Sequence, residues 1–283
     1  MEKRYTPSKQ INAGYNDKKK IIEHYDLVSP YYRELWGEHL HHGYWETGSE
    51  SKDDAQLALS AHLAEAAQIP RGAVVLDVGC GFGGSSLYLA REYHAVVTGI
   101  TISETQARIA RQNAQRAGMP ARILVMDADD ITLPDKFGVV WSVEAISHFR
   151  DKPAFFARVG ELLEPGGTLA LIDWFQQEDL STAQQRTYIE PIERGMLVEL
   201  KTISVYSNMI RAAGLDIGGT NDLSTHCAKT WDISLNLIKN RALWKLASDQ
   251  GIDFVHFLRA FNAMRKGFAS GNFVYGLIVA RKK

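Results

Sequence analysis

The chain reads as an α/β protein with a doubly wound, mostly parallel, Rossmann-like sheet and helical cap insertions. Three observations carry that expectation. Short apolar runs alternate with helix-length stretches through residues 74–173, the spacing of strands joined by helical crossovers. The first run ends in a glycine cluster, Gly79-Cys80-Gly81-Phe82-Gly83-Gly84. After Trp174 the alternation gives way to helical periodicity and returns only near the C-terminus, as a cap over the carboxyl edge of a sheet would require.

Each element has a local reason. Asp53 to Ile69 reads as a helix with Asp53 or Asp54 near its start and Leu57, Ala58, Ala61 and Ala64 at helical spacing. Val74 to Val78 suits a strand buried on both faces. Ser85 to Glu92 is the next helix and Ala95 to Ile100 the second strand. Ser103 caps a helix that runs to Ala117, where Gly118 stops it. Ile123 to Met126 and Gly138 to Ser142 are the third and fourth strands. A helix from Lys152 to Leu163 ends at Pro165-Gly166-Gly167, and Thr168 to Asp173 is the fifth strand. Residues 176–212 read as two helices, Leu215 to Ile217 as a strand, and residues 228–269 as largely helical, with Trp231, Leu235, Ile238, Leu243 and Leu246. Phe273 to Ala280 closes the sheet.

The division expected from this pattern is a polar tail over 1–20, a helical cover over 21–70, a cofactor-binding core over 71–175, and over 176–283 the remainder of the sheet with its cap. Lys18, Lys19 and Lys20 read as a solvated run. Tyr25, Tyr31, Tyr32, Trp36, Tyr44 and Trp45 crowd one short stretch, which either packs on the main domain or covers a ligand.

Among its 283 residues, 32 are Lys or Arg and 33 Asp or Glu, a formal charge of −1 that offers no field to draw nucleic acid or anionic lipid. Two cysteines, Cys80 and Cys227, exclude a disulfide-rich scaffold and a four-cysteine zinc site. No apolar run approaches the roughly 18–20 residues that span a bilayer, and the N-terminus lacks the apolar stretch of a signal peptide. The expectation is a cytoplasmic protein without nucleic-acid partner or membrane span, with a homodimer left open.

Gly79, Gly81 and Gly84 satisfy the dinucleotide pattern G-x-G-x-x-G. Asp77, two residues earlier, speaks against a diphosphate there, because its carboxylate would repel one and attract a cation. An amino-acid ammonium group is the better partner. S-adenosylmethionine has that group, a positive sulfur and no phosphate.

The run Val75-Leu76-Asp77-Val78-Gly79-Cys80-Gly81-Phe82-Gly83-Gly84 resembles the first motif of class I S-adenosylmethionine-dependent methyltransferases. Further segments agree in order: Gly99-Ile100-Thr101-Ile102-Ser103 with Gln106, Met126-Asp127-Ala128, Glu144 to His148, and Leu163 to Gly167. The N-terminal segment, with Tyr25-Asp26, Tyr31-Tyr32, Trp36-Gly37 and His41-His42-Gly43-Tyr44-Trp45, is similar to the entry segment of tocopherol methyltransferases and natural-product sugar O-methyltransferases.

The resemblance implies that Gly79, Gly81 and Gly83 present backbone to the methionine part of the cofactor while Asp77 supports its ammonium end. Where many relatives carry an acid at the end of the second strand, this chain has Gly99-Ile100-Thr101, which puts Thr101, Ile102 and Gln106 at the ribose. It implies that Asp127 accepts from the adenine amino group and that the Ala128 N–H faces the ring. The missing acid also counts against NAD. Tyr25, Tyr31 and Tyr44 are candidates to close over the carboxylate and sulfonium, since a tyrosine ring tolerates positive charge.

His148 is the candidate general base, with an ordinary pKa of about 6.5. Glu144 lies four residues earlier, and a helix there would put both on one face. It either orients His148 or lines the cofactor pocket. His41 and His42 compete as bases. Asp173 could line the acceptor pocket, and without a second carboxylate beside it no metal is expected. Trp174 and segments 188–209 and 226–270 supply Tyr188, Tyr206, Trp231, Trp244, Phe254, Phe257, Phe261 and Phe268, together with Tyr275 on the last strand, either as plain core or as the wall for an apolar or aromatic acceptor. The function expected is transfer of a methyl from S-adenosylmethionine, leaving S-adenosylhomocysteine, to a small natural-product-like acceptor. Oxygen is placed first, with nitrogen and carbon open. A cofactor-binding cyclase or scaffold that moves no methyl is the alternative, and an NAD-dependent oxidoreductase a remote third.

Overall fold

A computed structural model describes residues 17–119, 121–237, 239 and 252–283. Seven strands form one sheet in the order β3-β2-β1-β4-β5-β7-β6. They are β1 (Val74–Val78), β2 (Val96–Thr101), β3 (Ala121–Val125), β4 (Phe137–Val143), β5 (Leu163–Gln176), β6 (Leu215–Asp222) and β7 (Phe273–Lys282). The first five run parallel, and β7 lies antiparallel between β5 and β6. The chain reverses direction across the sheet between β1 and β4, so the loops after those strands open a crevice at their carboxyl ends.

Helices cover both faces: α1 (Lys18–Leu35), α2 (Lys52–Ala67), α3 (Gly84–Tyr93), α4 (Glu104–Arg116) and α5 (Lys152–Leu162). Beyond β5 come α6 (Thr182–Gln184), a π turn at Gln185–Ile189, α7 (Glu190–Met196) and α8 (Ile203–Ala212). After β6 come α9 (Ser224–Cys227), α10 (Lys229–Leu237) and α11 (Ile252–Ser270). One core packs β1, β4, β5 and β7 against α2 and α11 through residues such as Leu59, Leu63, Val75, Trp141 and Met264. The other lies on the opposite face around Leu76, Val140, Phe156, Leu171 and Tyr206. Strand residues that alternate between two fully buried faces explain the continuous apolar runs.

Several expectations need correction. The N-terminal helix begins at Lys18, inside the expected tail, because Asp17 caps it by accepting from the Lys19 N–H at 3.0 Å. Helix α2 is capped by Ser51, and its buried stripe runs through Ala55, Leu59, Leu63 and Ala67, leaving Leu57, Ala58 and Ala61 half-buried. Alanines on every side left the periodicity unable to choose the face. The pair of helices expected over 176–212 is three α segments and a π turn. Strand β6 runs on to Asp222, since an edge strand needs no apolar alternation where it faces solvent. Of the expected cap helix, Ile238, Leu243, Trp244 and Leu246 lie outside the described residues, as does the side chain of Phe254.

Candidate active site

A cavity of about 230 Å³ opens at the carboxyl ends of β1, β2 and β4. Its floor is the glycine loop. Gly79 and Gly81 have φ of +77° and +52°, and a Cβ at Gly79 would lie 2.3 Å from Ala145 Cβ. Only glycine fits there, and the bare backbone is what lets a ligand approach. The loop is pinned because the Gly79 and Cys80 N–H groups both donate to the Ile100 carbonyl at 2.9 Å. Gly83 does not line the cavity. It caps α3 in the left-handed region against Ala110, so its role is to turn the chain.

Asp77, one residue before the end of β1, is fully enclosed and on the cavity wall. It accepts from Ser86 Oγ at 2.5 Å. Burial lifts its carboxyl to about 6, against the pull of that hydrogen bond. At neutral pH it is an anion short of donors, which fits a ligand ammonium group.

Thr101, Ile102 and Gln106 line the next part of the wall. Thr101 Oγ1 donates to Gln106 Oε1 at 2.7 Å, which aims the pair as a unit. Asp127 and Ala128 follow β3 at the far end. Asp127 caps a short 3₁₀ turn by accepting from the Asp129 N–H at 2.9 Å. It also pairs with Lys18, which bonds Asp129 at 2.9 Å. Lys18 is therefore a wall residue and not part of a solvated run. The acidic pair draws it down, and the Asp17 cap was the only signal in the sequence that the helix starts early enough to allow this.

Helix α1 forms the lid. Besides Lys18, Asp26 accepts from Ser103 Oγ and from the Thr105 N–H, tying the lid to the start of α4. Tyr25 and Tyr31 face the cavity. Tyr44 does not: its ring is stacked between His62 and His226, each 4.6 Å away. The sequence could not show that the chain turns at Gly43, where the Cβ of any other residue would overlap Ala55 and Trp45.

Glu144 and His148 are not on a shared helix face. Glu144 follows β4 in the left-handed region at φ +54°, and only Ile146–His148 forms a 3₁₀ turn. A non-glycine residue at that φ stores strain, a condition that gathers at functional positions. Glu144 Oε1 accepts from the His42 N–H at 2.6 Å, from His42 Nδ1 at 2.8 Å and from the Tyr275 hydroxyl at 2.6 Å. Burial works to raise its carboxyl, but His42 and the bonds to it bring it below the usual range. The histidine that Glu144 orients is thus His42, not His148.

His148 Nδ1 donates to the Leu197 carbonyl at 3.1 Å, so its Nε2 accepts from the Tyr25 hydroxyl at 2.9 Å. Burial drops its pKa to about 4. His24, on the lid beside Phe257, is lowered to about 4 in the same way. Both imidazoles are neutral at pH 7.

The upper wall is apolar: Trp36, Trp174, Met196, Trp231, Phe257 and Phe261. Five expected wall residues turn elsewhere, among them Tyr275, which does not line the cavity and donates its hydroxyl to Glu144. Asp173 spends its oxygens on the Ser147 and Trp174 N–H groups at 2.9 and 2.7 Å. Tyr206 is buried on the opposite face of the sheet with Phe156 and Phe175. Tyr188 and Phe268 pack into the core without lining the cavity. His39, Thr230 and Ser234 line it and were missed; the trio His39, His41 and His42 was the available signal for the first. Among the described residues no group of three or more His, Cys, Asp or Glu is placed to hold a metal, and no helix is long and apolar enough to cross a membrane.

Comparison with known proteins gives the family. The family model for mycolic acid cyclopropane synthetase matches residues 13–271. A 27-O-demethylrifamycin SV methyltransferase from Amycolatopsis mediterranei is 30% identical, with 93% of this chain and 97% of the relative covered. A 2-methyl-6-phytyl-1,4-hydroquinone methyltransferase from Synechocystis is 31% identical over 95% of this chain and 90% of its own. The crystal structure of the [4+2]-cyclase SpnF superimposes with a TM-score of 0.82 at 25% identity, covering 94% of this chain and 96% of that one.

Proposed function

This chain belongs to the mycolic acid cyclopropane synthetase family and is an S-adenosylmethionine-dependent methyltransferase, and from that premise we propose that it methylates a hydroxyl group on a small, apolar or aromatic, natural-product-like molecule. The observation that carries the proposal is the polarity gradient of one cavity. At one end lie a bare glycine loop and the buried anion Asp77; at the other, a wall of tryptophan and phenylalanine with no lysine or arginine among its described residues. A phosphorylated or carboxylated acceptor would find no counter-charge at that wall.

The residues fit the cofactor. In this reading Gly79 and Gly81 offer backbone, Asp77 answers the ammonium group, Thr101, Ile102 and Gln106 the ribose, and Asp127 and Ala128 the adenine, with Tyr25 and Tyr31 above. When bound, S-adenosylmethionine supplies a methyl made electrophilic by its sulfonium. The protein then contributes alignment and the exclusion of water. Tyr25 and His148 hold the lid: the lone pair of His148 is already engaged and its basicity is low, so we assign the pair to closure of α1 and not to proton removal.

Residues 21–70 act here as cover, 71–175 as cofactor core, and 176–283 as the rest of the sheet and the acceptor cap. The reading places the reaction in the cytoplasm, on a free small molecule and not on nucleic acid, and leaves pairing of two chains open. A second reading has support in the likeness to a cyclase structure: the same cavity could bind the cofactor and fold an acceptor without methylating it. Methyl-labelled S-adenosylmethionine, offered with hydroquinones, phenols, macrolide alcohols and matched amines, separates the two. Label on a hydroxyl compound supports the proposal. Label only on amines, or none with cofactor bound, refutes it.

A further inference from the structure

Besides Trp36 Nε1, three ring atoms on the cavity wall have no hydrogen-bond partner among the described residues: His42 Nε2, Trp174 Nε1 and Trp231 Nε1. Their side chains are 3%, 9% and 3% exposed. They are neighbours, with ring centroids 4.6 Å apart for His42 and Trp231, 6.1 Å for His42 and Trp174, and 6.5 Å for the two tryptophans. Trp141 also has an unpartnered indole nitrogen, but it is packed in the sheet core and does not line the cavity.

The hydrogen-bonding roles of the three atoms are settled by chemistry. Each indole nitrogen can only donate. His42 Nδ1 faces the Glu144 carboxylate, so it carries hydrogen, and Nε2 holds a lone pair. Tyr275 stacks on the ring at 4.4 Å and fixes its plane. One acceptor and two donors on adjoining rings complement a hydroxyl, which gives one hydrogen and takes two. A carbonyl would leave Nε2 unmatched, and an ammonium group would leave both indoles unmatched.

We propose that His42, Trp174 and Trp231 form the subsite that receives the acceptor's hydroxyl, and that His42 Nε2 takes its proton. The inference rests on the reading above that the acceptor is a hydroxyl compound. One indole N–H gives up the oxygen lone pair that it holds, and as that pair forms the oxygen–methyl bond the methyl–sulfur bond breaks and its electron pair stays on sulfur. The hydroxyl proton passes to Nε2, so the positive charge leaves the sulfonium and appears on the imidazolium beside the Glu144 carboxylate. Glu144 is a positioning residue, holding the tautomer and plane of His42.

The test compares 1-naphthol with 1-methylnaphthalene, similar in shape but without the hydroxyl, by calorimetry on the full chain with S-adenosylhomocysteine present. The native protein is expected to prefer the naphthol at least ten-fold. His42→Phe, which keeps a ring against Tyr275, is expected to bring the ratio below three-fold, and Trp174→Phe and Trp231→Phe each to lower it by a smaller factor. Glu144→Ala is expected to lose the preference and Glu144→Gln, which still accepts from Nδ1–H, to restore most of it. Binding of S-adenosylhomocysteine reports that each variant is folded; if His42→Phe fails that control, the two tryptophan variants decide. No preference in the native protein, or one that survives both His42→Phe and the tryptophan variants, overturns the proposal. The two readings fail separately. A His42-dependent hydroxyl preference without label transfer sinks the methylation of hydroxyls alone, and hydroxyl methylation at native rate by His42→Phe sinks the subsite alone.

Discussion

Replacing Gly79 by alanine probes the floor of the site, and Gly72 supplies an internal control. Both sit at nearly the same backbone angle, φ +77° and +78°. A Cβ added at Gly72 meets nothing within 4 Å, so Gly72→Ala carries only the strain of a left-handed L-residue, about 1–2 kcal/mol. At Gly79 the new carbon would lie 2.3 Å from Ala145 Cβ, with the Ala145 Cα at 3.7 Å behind it. Neither partner is the end of a flexible side chain, so backbone must move, and overpacking of this kind adds about 1–3 kcal/mol. At about 2–4 °C per kcal/mol for a chain of this size, Gly79→Ala is expected to melt about 2–12 °C below Gly72→Ala. Thermal unfolding followed by circular dichroism measures the gap. Calorimetry with S-adenosylhomocysteine should show loss of affinity in Gly79→Ala only, because the displaced Ala145 begins the turn that carries His148. Equal melting of the two variants would show that the Gly79–Ala145 contact relaxes at no cost, and the argument for the rigid floor would fall with it.

Three other outcomes are expected. Glu144→Ala strands the His42 N–H, His42 Nδ1–H and the Tyr275 hydroxyl, and should cost about 3 kcal/mol or more in denaturant unfolding, while Glu144→Gln keeps an acceptor and should cost less than half of that; equal losses would deny Glu144 its role as shared acceptor. Asp77 has its carboxyl raised by burial from 3.8 to about 6, so the folded state holds the proton more tightly than the unfolded one, and its contribution is full below about pH 4 and lost as pH rises through 6. Asp77→Asn should therefore gain on the native protein between pH 4 and 7, by at most about 3 kcal/mol, and a melting difference that does not change over this range would contradict the burial of the charge. Tyr25→Phe removes the donor to His148 Nε2 and should speed release of S-adenosylhomocysteine about five-fold, as expected for one hydrogen bond of about 1 kcal/mol; an unchanged rate in stopped-flow measurements would mean that the pair does not hold the lid.

Part of this was legible along the chain, wherever local physics decides the outcome. The apolar runs at Val74–Val78 and Gly138 to Ser142 fall in strands because residues buried on both faces leave no polar alternation. The glycines at 79 and 81 announce a close backbone approach, and Ser103 announces a helix start. These signals depend on neighbours a few residues apart, so they survive without a structure. Which groups meet across the chain came from the folded molecule alone. Glu144 faces His42 over a separation of 102 residues, Lys18 reaches Asp127 over 109, and Tyr25 reaches His148 over 123. Spacing along one element suggested a pairing of Glu144 with His148, and the left-handed turn at Glu144 undid it. Nor could spacing reveal that Tyr44 is stacked away between two histidines while Trp174 and Trp231 come together, because a side chain's neighbours in a closed interior are set by how whole elements pack.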